Sequence, residues 1–355
     1  MPNENGTSDE RFVSEASDLP AMTISFQRYS GPSGLLADED VLTPLRHWHR
    51  EGVASVLVSL IRVEGGAPRQ PGAHMAVAAD GRYAGYLSGG CLEQAVVEEA
   101  KAVIASGQNR IVRYGRGSHY FDIRLPCGSG LDLYFDRGIS GAQIATMSEL
   151  QRARRPFALK TDLADGVSSI HELPLAGGAR AATMSPMSSG NVFSCPFMPP
   201  VRLMLLGAGP ALVGLAKLAV AAGLELTLAS ADGPAQGHLA QAGLRMDTAH
   251  DLPGAVIETL DFASAAVLVF HAHELEPDLL ERLLKTPCFY IGALGNHAVH
   301  RERLATLSAR GMPDDVLARI RAPVGLIPGA KSTASLAVSV LAELMAAAKS
   351  QNLVP

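Results

Sequence analysis

The sequence has few cysteines and no excess of positive charge, and each shortage excludes a class of protein. Its four cysteines, Cys91, Cys127, Cys195 and Cys288, are far apart and form no Cys-x-x-Cys pair, which argues against a disulfide framework and a paired-cysteine zinc site. The 30 Lys and Arg residues are outnumbered by 35 Asp and Glu, giving a formal net charge of −5. Proteins that grip nucleic acid normally need a basic face, so nucleic acid is not an expected partner.

The sequence also lacks a long uninterrupted hydrophobic segment. The polar residues 3–10 are not followed by an apolar stretch and do not resemble a signal peptide. The most apolar region, residues 201–231, is interrupted by Pro210, Lys217 and Glu225, so it does not predict a membrane span. Because scattered, unpaired thiols are typical of a reducing compartment, we expect a soluble, cytoplasmic protein.

What is present is a composition typical of α/β proteins with tight loops. The chain has 355 residues, of which 47% are hydrophobic and 18% charged, together with 35 Gly and 22 Pro, and this length favours two domains. We expect a disordered tail over residues 1–38, an N-terminal α/β domain over 39–180, a linker over 181–200 and a Rossmann-like parallel-sheet domain over 201–348.

Periodicity supports this division. In the first half we expect a helix near 41–51, a buried strand at 54–61, a hairpin around Asp80-Gly81, and a helix over 92–105. From residue 201, strand and helix patterns alternate. This alternation predicts a parallel sheet with right-handed crossovers.

The glycine turn Gly207-Ala208-Gly209 follows the first strand of that sheet and opens a helix. Gly207 permits a tight turn, and Gly209 allows backbone to approach a phosphate at the helix N-terminus. An acid that would bind a ribose is expected about 20 residues later, but Ser230 fills that position and Asp232 comes slightly late. The turn therefore indicates either a nucleotide site or only a close βα connection.

The segment Ser88-Gly89-Gly90-Cys91 precedes the predicted helix 92–105. A cysteine at a helix N-terminus lies beside amides that favour the thiolate, and glycines expose amides to an anionic ligand. Thiolates are also suited to soft metals. The alternative is a buried cysteine that acts as a small apolar residue.

Other segments carry weaker signals. Cys127-Gly128 repeats the pattern of a cysteine beside small residues, and Arg69, in a Gly/Pro loop, can present a guanidinium to phosphate. His271 and His273 follow a predicted strand at the edge where α/β sheets bind ligands, although hydrogen bonding or packing is the commoner role of such histidines.

Five of these motifs occur in an order that resembles the XdhC/CoxI family of accessory factors for molybdenum hydroxylases. The residues that carry the resemblance are 62–69 (Arg-Val-Glu-Gly-Gly-Ala-Pro-Arg), 87–93 (Leu-Ser-Gly-Gly-Cys-Leu-Glu), 126–130 (Pro-Cys-Gly-Ser-Gly), 290–295 (Tyr-Ile-Gly-Ala-Leu-Gly) and 320–326 (Ile-Arg-Ala-Pro-Val-Gly-Leu).

The resemblance implies a chaperone, rather than a catalyst, that binds molybdenum cofactor (molybdopterin), supports its sulfuration and inserts it into a hydroxylase such as xanthine dehydrogenase. Implied partners are that hydroxylase and a cysteine desulfurase, and a homodimer is the default assembly. Cys91 and Cys127 match the family's loop cysteines and are implied to lie near the metal. The expected cofactor-binding set is Arg69, Ser88, Gly89, Gly90, Cys91, Cys127, Gly128, Gly207 and Gly209.

Two other functions stay open at this point. One is an NAD(P)-dependent oxidoreductase that uses the turn at Gly207, and the other is an interaction scaffold whose glycine loops are only structural. The family commonly carries an acid where Ser230 stands and an Asp where Ile327 stands. These departures favour the N-terminal cofactor site over a nucleotide site in the C-terminal half.

Overall fold

The computed structural model describes residues 25–29, 40–118, 125, 128–174, 186–244, 247–248, 256–270 and 276–354. Before residue 200 its elements are β1 (Ser25–Tyr29), α1 (Leu42–Arg50), β2 (Ser55–Glu64), β3 (His74–Ala78), β4 (Tyr83–Gly85), α2 (Glu93–Ser106), β5 (Arg110–Gly115), β6 (Gly130–Asp136), α3 (Gly141–Arg152), β7 (Phe157–Asp162), β8 (Ser168–Glu172), β9 (Met187–Ser189) and β10 (Val192–Phe197). After it come β11 (Arg202–Gly207), α4 (Gly209–Ala221), β12 (Glu225–Ser230), α5 (Gly233–Gln241), β13 (Asp247–Thr248), β14 (Ser264–Val269), α6 (Glu276–Leu284), β15 (Tyr290–Ala293), α7 (His297–Ala309), α8 (Asp314–Leu317), β16 (Ile320–Arg321) and α9 (Thr333–Ser350).

A five-stranded antiparallel sheet, in the order β4-β3-β2-β6-β5, is the centre of the first half. Alternate residues of β2 point to opposite faces, and both faces are covered. Val56 and Val58 pack with α2, whereas Leu57 packs with Trp48 of α1. The expected hairpin at Asp80-Gly81 joins β3 to β4, with Gly81 at φ 90°.

A four-stranded sheet, β8-β7-β10-β9, occupies part of the expected linker. β10 pairs antiparallel with β7 along its whole length and with β9 on its other side. Phe193 and Cys195, two residues apart, are both buried. The linker interpretation is therefore wrong for residues 187–197, because the Ser- and Pro-containing sequence still has the period of two that buries one face of a strand.

The second half contains the expected parallel sheet, in which β12, β11, β14, β15 and β16 run in one direction. The expected tail over 1–38 is wrong for residues 25–29, because β1 lies between β12 and β13 and runs antiparallel to both. Without β1, one side of β12 would expose unpaired backbone groups, so this strand completes the sheet.

Helices α4 and α9 pack closely on one face of this sheet. A Cβ atom at Gly214 of α4 would lie 2.6 Å from the Cγ2 atom of Thr333 in α9, so only glycine permits this approach. Gly214 thus permits close packing between two helices, whereas the third glycine of a dinucleotide fingerprint permits close packing of a helix on a strand. α9 has the length and apolarity of a membrane span, and 33% of it is buried in the protein.

Candidate functional site

The loop of residues 88–91 lies between β4 and α2, and Glu93 holds it from inside. The amides of Leu87 and Ser88 donate to Oε1 of Glu93 at 3.2 and 2.9 Å, and the Ser88 hydroxyl donates to Oε2 at 2.7 Å. The amide of Leu92 donates to Oε2 at 3.1 Å. Ser88 and Glu93 are buried, whereas the three loop residues that follow Ser88 are exposed.

The carboxylate of Glu93 stays charged in this position. Burial by itself would raise the pKa of Glu93, but the hydrogen bonds from the Ser88 hydroxyl and the backbone amides outweigh burial and bring the pKa below its ordinary value. An ionised carboxylate accepts hydrogen bonds without competing as a donor. The conformation of the Gly-Gly-Cys loop is therefore fixed by the residue two positions after Cys91.

Cys91 lines a cavity of about 370 Å³, a volume within the range of small-molecule sites. Three loops of the N-terminal half form its wall, and the lining residues are Gly66, Ala67, Pro68, Ser88, Gly89, Cys91, Leu125, Ser129 and Leu131. Among the described residues, no atom outside the adjacent loop positions lies within 4 Å of where a Cβ would stand on Gly89 or Gly90, so these residues leave space beside the loop. Of the expected cofactor-binding residues, Ser88, Gly89 and Cys91 line this cavity, and their role in binding stays a prediction.

Cys127 lies outside the described residues. Leu125 and Ser129, two positions before and after it, line the cavity, and the amide of Gly128 donates to the carbonyl oxygen of Leu125 at 2.9 Å. Gly128 itself is exposed at φ 65°. A role for Cys127 and Gly128 in binding therefore stays a prediction.

Arg69 is adjacent in the chain to Pro68 but is not among the cavity-lining residues. Its guanidinium carbon lies 4.8 Å from the centre of the Tyr86 ring, a distance typical of a cation–π contact. Tyr86 precedes Leu87 and the Gly-Gly-Cys loop. Arg69 therefore lies beside the Tyr86 ring and carries its positive charge near the start of the loop.

A buried cysteine that the sequence placed in the linker makes an unexpected contact. The Sγ atom of Cys195 in β10 lies 3.2 Å from Nε2 of His74 in β3, and Nδ1 of His74 lies 2.9 Å from the Ser59 hydroxyl. The His74 ring also stacks on Phe197 with a centroid distance of 4.8 Å. The contact spans 121 positions, and no local pattern could have indicated it.

This Ser-His-Cys arrangement is not an activated nucleophile. Burial raises the pKa of the Cys195 thiol to about 12. Burial, and secondarily the charge of Arg69, lowers the pKa of His74 to about 4. Both groups are therefore neutral near pH 7, and their contact joins β3 of one sheet to β10 of another. The exposed thiol of Cys91 is the better candidate for chemistry.

The glycine turn of the second half has the expected strand-turn-helix setting, but its phosphate position is occupied. A Cβ at Gly207 would meet the Val269 carbonyl oxygen at 2.4 Å, so β11 and β14 approach closely there. The amide of Gly209, the first residue of α4, donates to Oδ2 of Asp232 at 2.8 Å. Ser230 is buried, and its hydroxyl accepts from the amide of Asp232 at 3.1 Å.

The position of Asp232 gives a physical reason why this turn does not suit a dinucleotide. In the fingerprint, the amide at the start of the helix binds the pyrophosphate, whereas here a carboxylate of the same chain occupies that donor. A second anion would have to displace Asp232 and tolerate its charge. The sequence-based view of Asp232 as slightly late missed this contact, because a carboxylate's direction is not encoded by spacing.

We therefore expect Asp232→Gly to bind NADH at least about tenfold more tightly than the wild-type chain, because the variant frees the Gly209 amide and removes the opposing charge. Isothermal titration of both proteins measures the difference. Asp315→Gly, which removes the same charge from an exposed position, is the control and should behave as wild type. Equal NADH affinity in all three proteins would contradict the blocking role of Asp232.

The two histidines predicted from the sequence and the start of α7 add little to the site. His271 and His273 lie outside the described residues. Asn296 caps α7, since its side chain accepts from the amides of Ala298 and Val299. Among the described residues, no three His, Cys, Asp or Glu side chains converge as a set that could hold a metal ion.

Comparison with known proteins gives two family matches. The XdhC and CoxI family model matches residues 48–115, and the XdhC Rossmann domain model matches residues 203–344. These ranges include the Gly-Gly-Cys loop and the glycine turn, respectively.

Individual relatives of this chain support the same family. The chain is 34% identical over 296 residues to the molybdenum cofactor insertion chaperone PaoD of Escherichia coli K12, covering 82% of this chain and 83% of PaoD. It is 27% identical to a probable xanthine dehydrogenase subunit of Bacillus subtilis 168, covering 82% of this chain and 92% of that protein. A crystal structure from Bacillus halodurans, named as a xanthine dehydrogenase, has the same fold at 21% identity and a TM-score of 0.65, covering 87% of this chain and 96% of that one. The chain therefore belongs to the XdhC and CoxI family.

Proposed function

We propose that this chain is a cytoplasmic accessory chaperone that binds molybdenum cofactor, supports its sulfuration and inserts it into a molybdenum hydroxylase such as xanthine dehydrogenase. The observation that carries the proposal is the exposed Cys91 thiol beside an open cavity of about 370 Å³. Its relative PaoD, named as a molybdenum cofactor insertion chaperone, supports the same function.

The cavity offers a thiol to a soft metal, among lining residues that are otherwise small or apolar. Cys91 is exposed two positions before the first residue of α2, and a cysteine sulfur is a good ligand for soft metals. The glycines beside it leave open space for a bulky ligand. Arg69 would contribute positive charge toward the phosphate of the pterin, and Cys127 would supply a second thiol.

The proposed role is to hold the cofactor and deliver it, rather than to catalyse a reaction. The Cys195–His74 pair is neutral and its thiol is buried, and Asp232 occupies the phosphate position of the second half. Neither arrangement favours the NAD(P)-dependent oxidoreductase considered from the sequence. We further propose that a cysteine desulfurase supplies the sulfur and that the chaperone acts as a homodimer.

The test is anaerobic incubation of the purified chain with molybdenum cofactor, followed by gel filtration and measurement of bound molybdenum and pterin. We expect near-stoichiometric retention by the wild-type chain and at least about tenfold weaker binding by Cys91→Ala, because a metal–thiolate contact is lost. Cys127→Ala tests the second thiol in the same assay.

Cys288→Ala is the matched control, since it removes a buried thiol from the Rossmann half. It should retain cofactor as the wild type does. Undiminished binding by both the Cys91 and the Cys127 variants would refute the thiol assignment, and no retention by the wild-type chain would refute the function.

A further inference from the structure

One surface of the Rossmann half exposes apolar side chains that the cofactor site does not use. Leu326, Ile327 and Val338 are 56%, 50% and 52% exposed. Three alanines of α9 are also exposed, at spacings of four residues that place them in line with Val338. We call this surface the α9 face, and its members are Leu326, Ile327, Ala334, Val338, Ala342 and Ala346.

Hydrogen bonds hold the two parts of the α9 face side by side. The amide of Ile327 donates to the Ser339 hydroxyl at 2.7 Å, and the amide of Leu326 donates to the Ser339 carbonyl oxygen at 3.2 Å. Ser339 directly follows Val338 and is buried. The segment of Leu326 and Ile327 is therefore anchored against α9. Contiguous apolar surface of this kind marks interaction sites in soluble proteins.

The exposed charged side chains among the described residues of the segment 319–354, which carries the α9 face, are all basic. Glu343, the one acidic residue between positions 319 and 355, turns inward, where it accepts from the Tyr290 hydroxyl at 2.9 Å and from the Gly325 amide. Arg321, Lys331 and Lys349 are exposed in the same segment. A chain with net charge −5 thus carries its apolar α9 face on a segment whose exposed charges, called the basic border here, are all positive.

We propose that the α9 face docks a partner protein that presents an apolar patch ringed by carboxylates. A second copy fits less well, because a symmetric contact would set the basic border of one chain against that of the other. A lipid surface also fits less well, because the α9 face contains no Trp or Tyr anchor of the kind that interfacial helices use. The identity of the partner rests on the proposed function: it is the hydroxylase that receives the cofactor.

The test measures binding of the full chain to the cofactor-free hydroxylase of the same organism by biolayer interferometry. Val338→Asp should weaken binding at least about tenfold, because it places a negative charge in the apolar centre of the contact, inside the partner's ring of carboxylates. Val167→Asp is the matched control, since Val167 is 62% exposed in a distant turn, and it should bind within about twofold of wild type. Lys331→Glu should weaken binding and reduce its dependence on salt.

The outcomes separate this surface from the proposed function. Failure of the wild-type chain to bind the hydroxylase would overturn both, whereas equal binding by wild type and Val338→Asp would overturn the α9 face alone. Light scattering of the chain without a partner identifies a second copy as the occupant if Val338→Asp halves the mass. If the wild-type chain sediments with phosphatidylcholine–phosphatidylglycerol vesicles and Val338→Asp does not, the α9 face binds a membrane and not a protein.

Discussion

Glu93→Ala should lower the free energy of unfolding of the N-terminal half by about 3 kcal/mol, because the substitution leaves several buried donors without their acceptor. These donors are the amides of Leu87, Ser88 and Leu92 and the Ser88 hydroxyl. Trp48, the one tryptophan of the chain, packs against the same sheet. Urea unfolding followed by its fluorescence therefore reports the change.

The control for this variant is Glu98→Ala on the exposed face of the same helix, where Glu98 contacts Lys101 and Gln94 at the surface. It should cost less than about 0.5 kcal/mol. A similar loss in both variants would mean that Glu93 contributes only as a helix residue, and the account of the loop would then be wrong.

The pH dependence gives a second check on Glu93. Since its pKa in the folded chain lies below the ordinary value of 4.5, its stabilising contribution is present above that value and is lost as the pH falls through the folded-state pKa. The difference in unfolding free energy between wild type and Glu93→Ala should therefore be constant near neutral pH and shrink in acid. We also expect the variant to retain less cofactor, because the Cys91 loop loses its support.

Arg303→Ala should cost about 4 kcal/mol, which is the range found for breaking a buried ion pair by removing one partner. The side chains of Arg303 and Glu276 are both 2% exposed. Nε and Nη2 of Arg303 donate to Oε2 of Glu276 at 2.9 and 2.8 Å, and Nη2 also donates to the Leu294 carbonyl oxygen at 2.8 Å. Removing the guanidinium leaves the Glu276 carboxylate in a low-dielectric interior. Urea unfolding followed by circular dichroism measures the loss.

Two further variants show whether the lost unfolding free energy comes from the buried charge. Arg310→Ala removes an exposed arginine that contacts Asp278 and Glu281, and it should cost less than about 1 kcal/mol. The double variant Glu276→Leu with Arg303→Met should recover much of the loss, because apolar replacements of similar volume remove both buried charges together. A double variant as unstable as Arg303→Ala would indicate that the pair is required for its geometry rather than its charge balance.

Local pattern predicted much of this molecule. The hairpin at Asp80-Gly81, the helix after Cys91 and the strand-turn-helix at Gly207 are where the sequence placed them, because each depends on residues close together in the chain. The same holds for the family, since its motifs are short and contiguous. The sequence also predicted the Gly-Gly-Cys loop as a cofactor site, and the structure adds that it lines an open cavity with two other loops.

The sequence by itself therefore determined the family and the local elements just named, all of which follow from periodicity and local backbone requirements. Only the tertiary structure decided the pairings between distant segments: β1 in the second half's sheet, Cys195 against His74, and Asp232 on the amide of Gly209. Such contacts depend on which surfaces meet when the chain collapses, and the free energy of that choice is distributed over whole packed layers rather than written in any short segment.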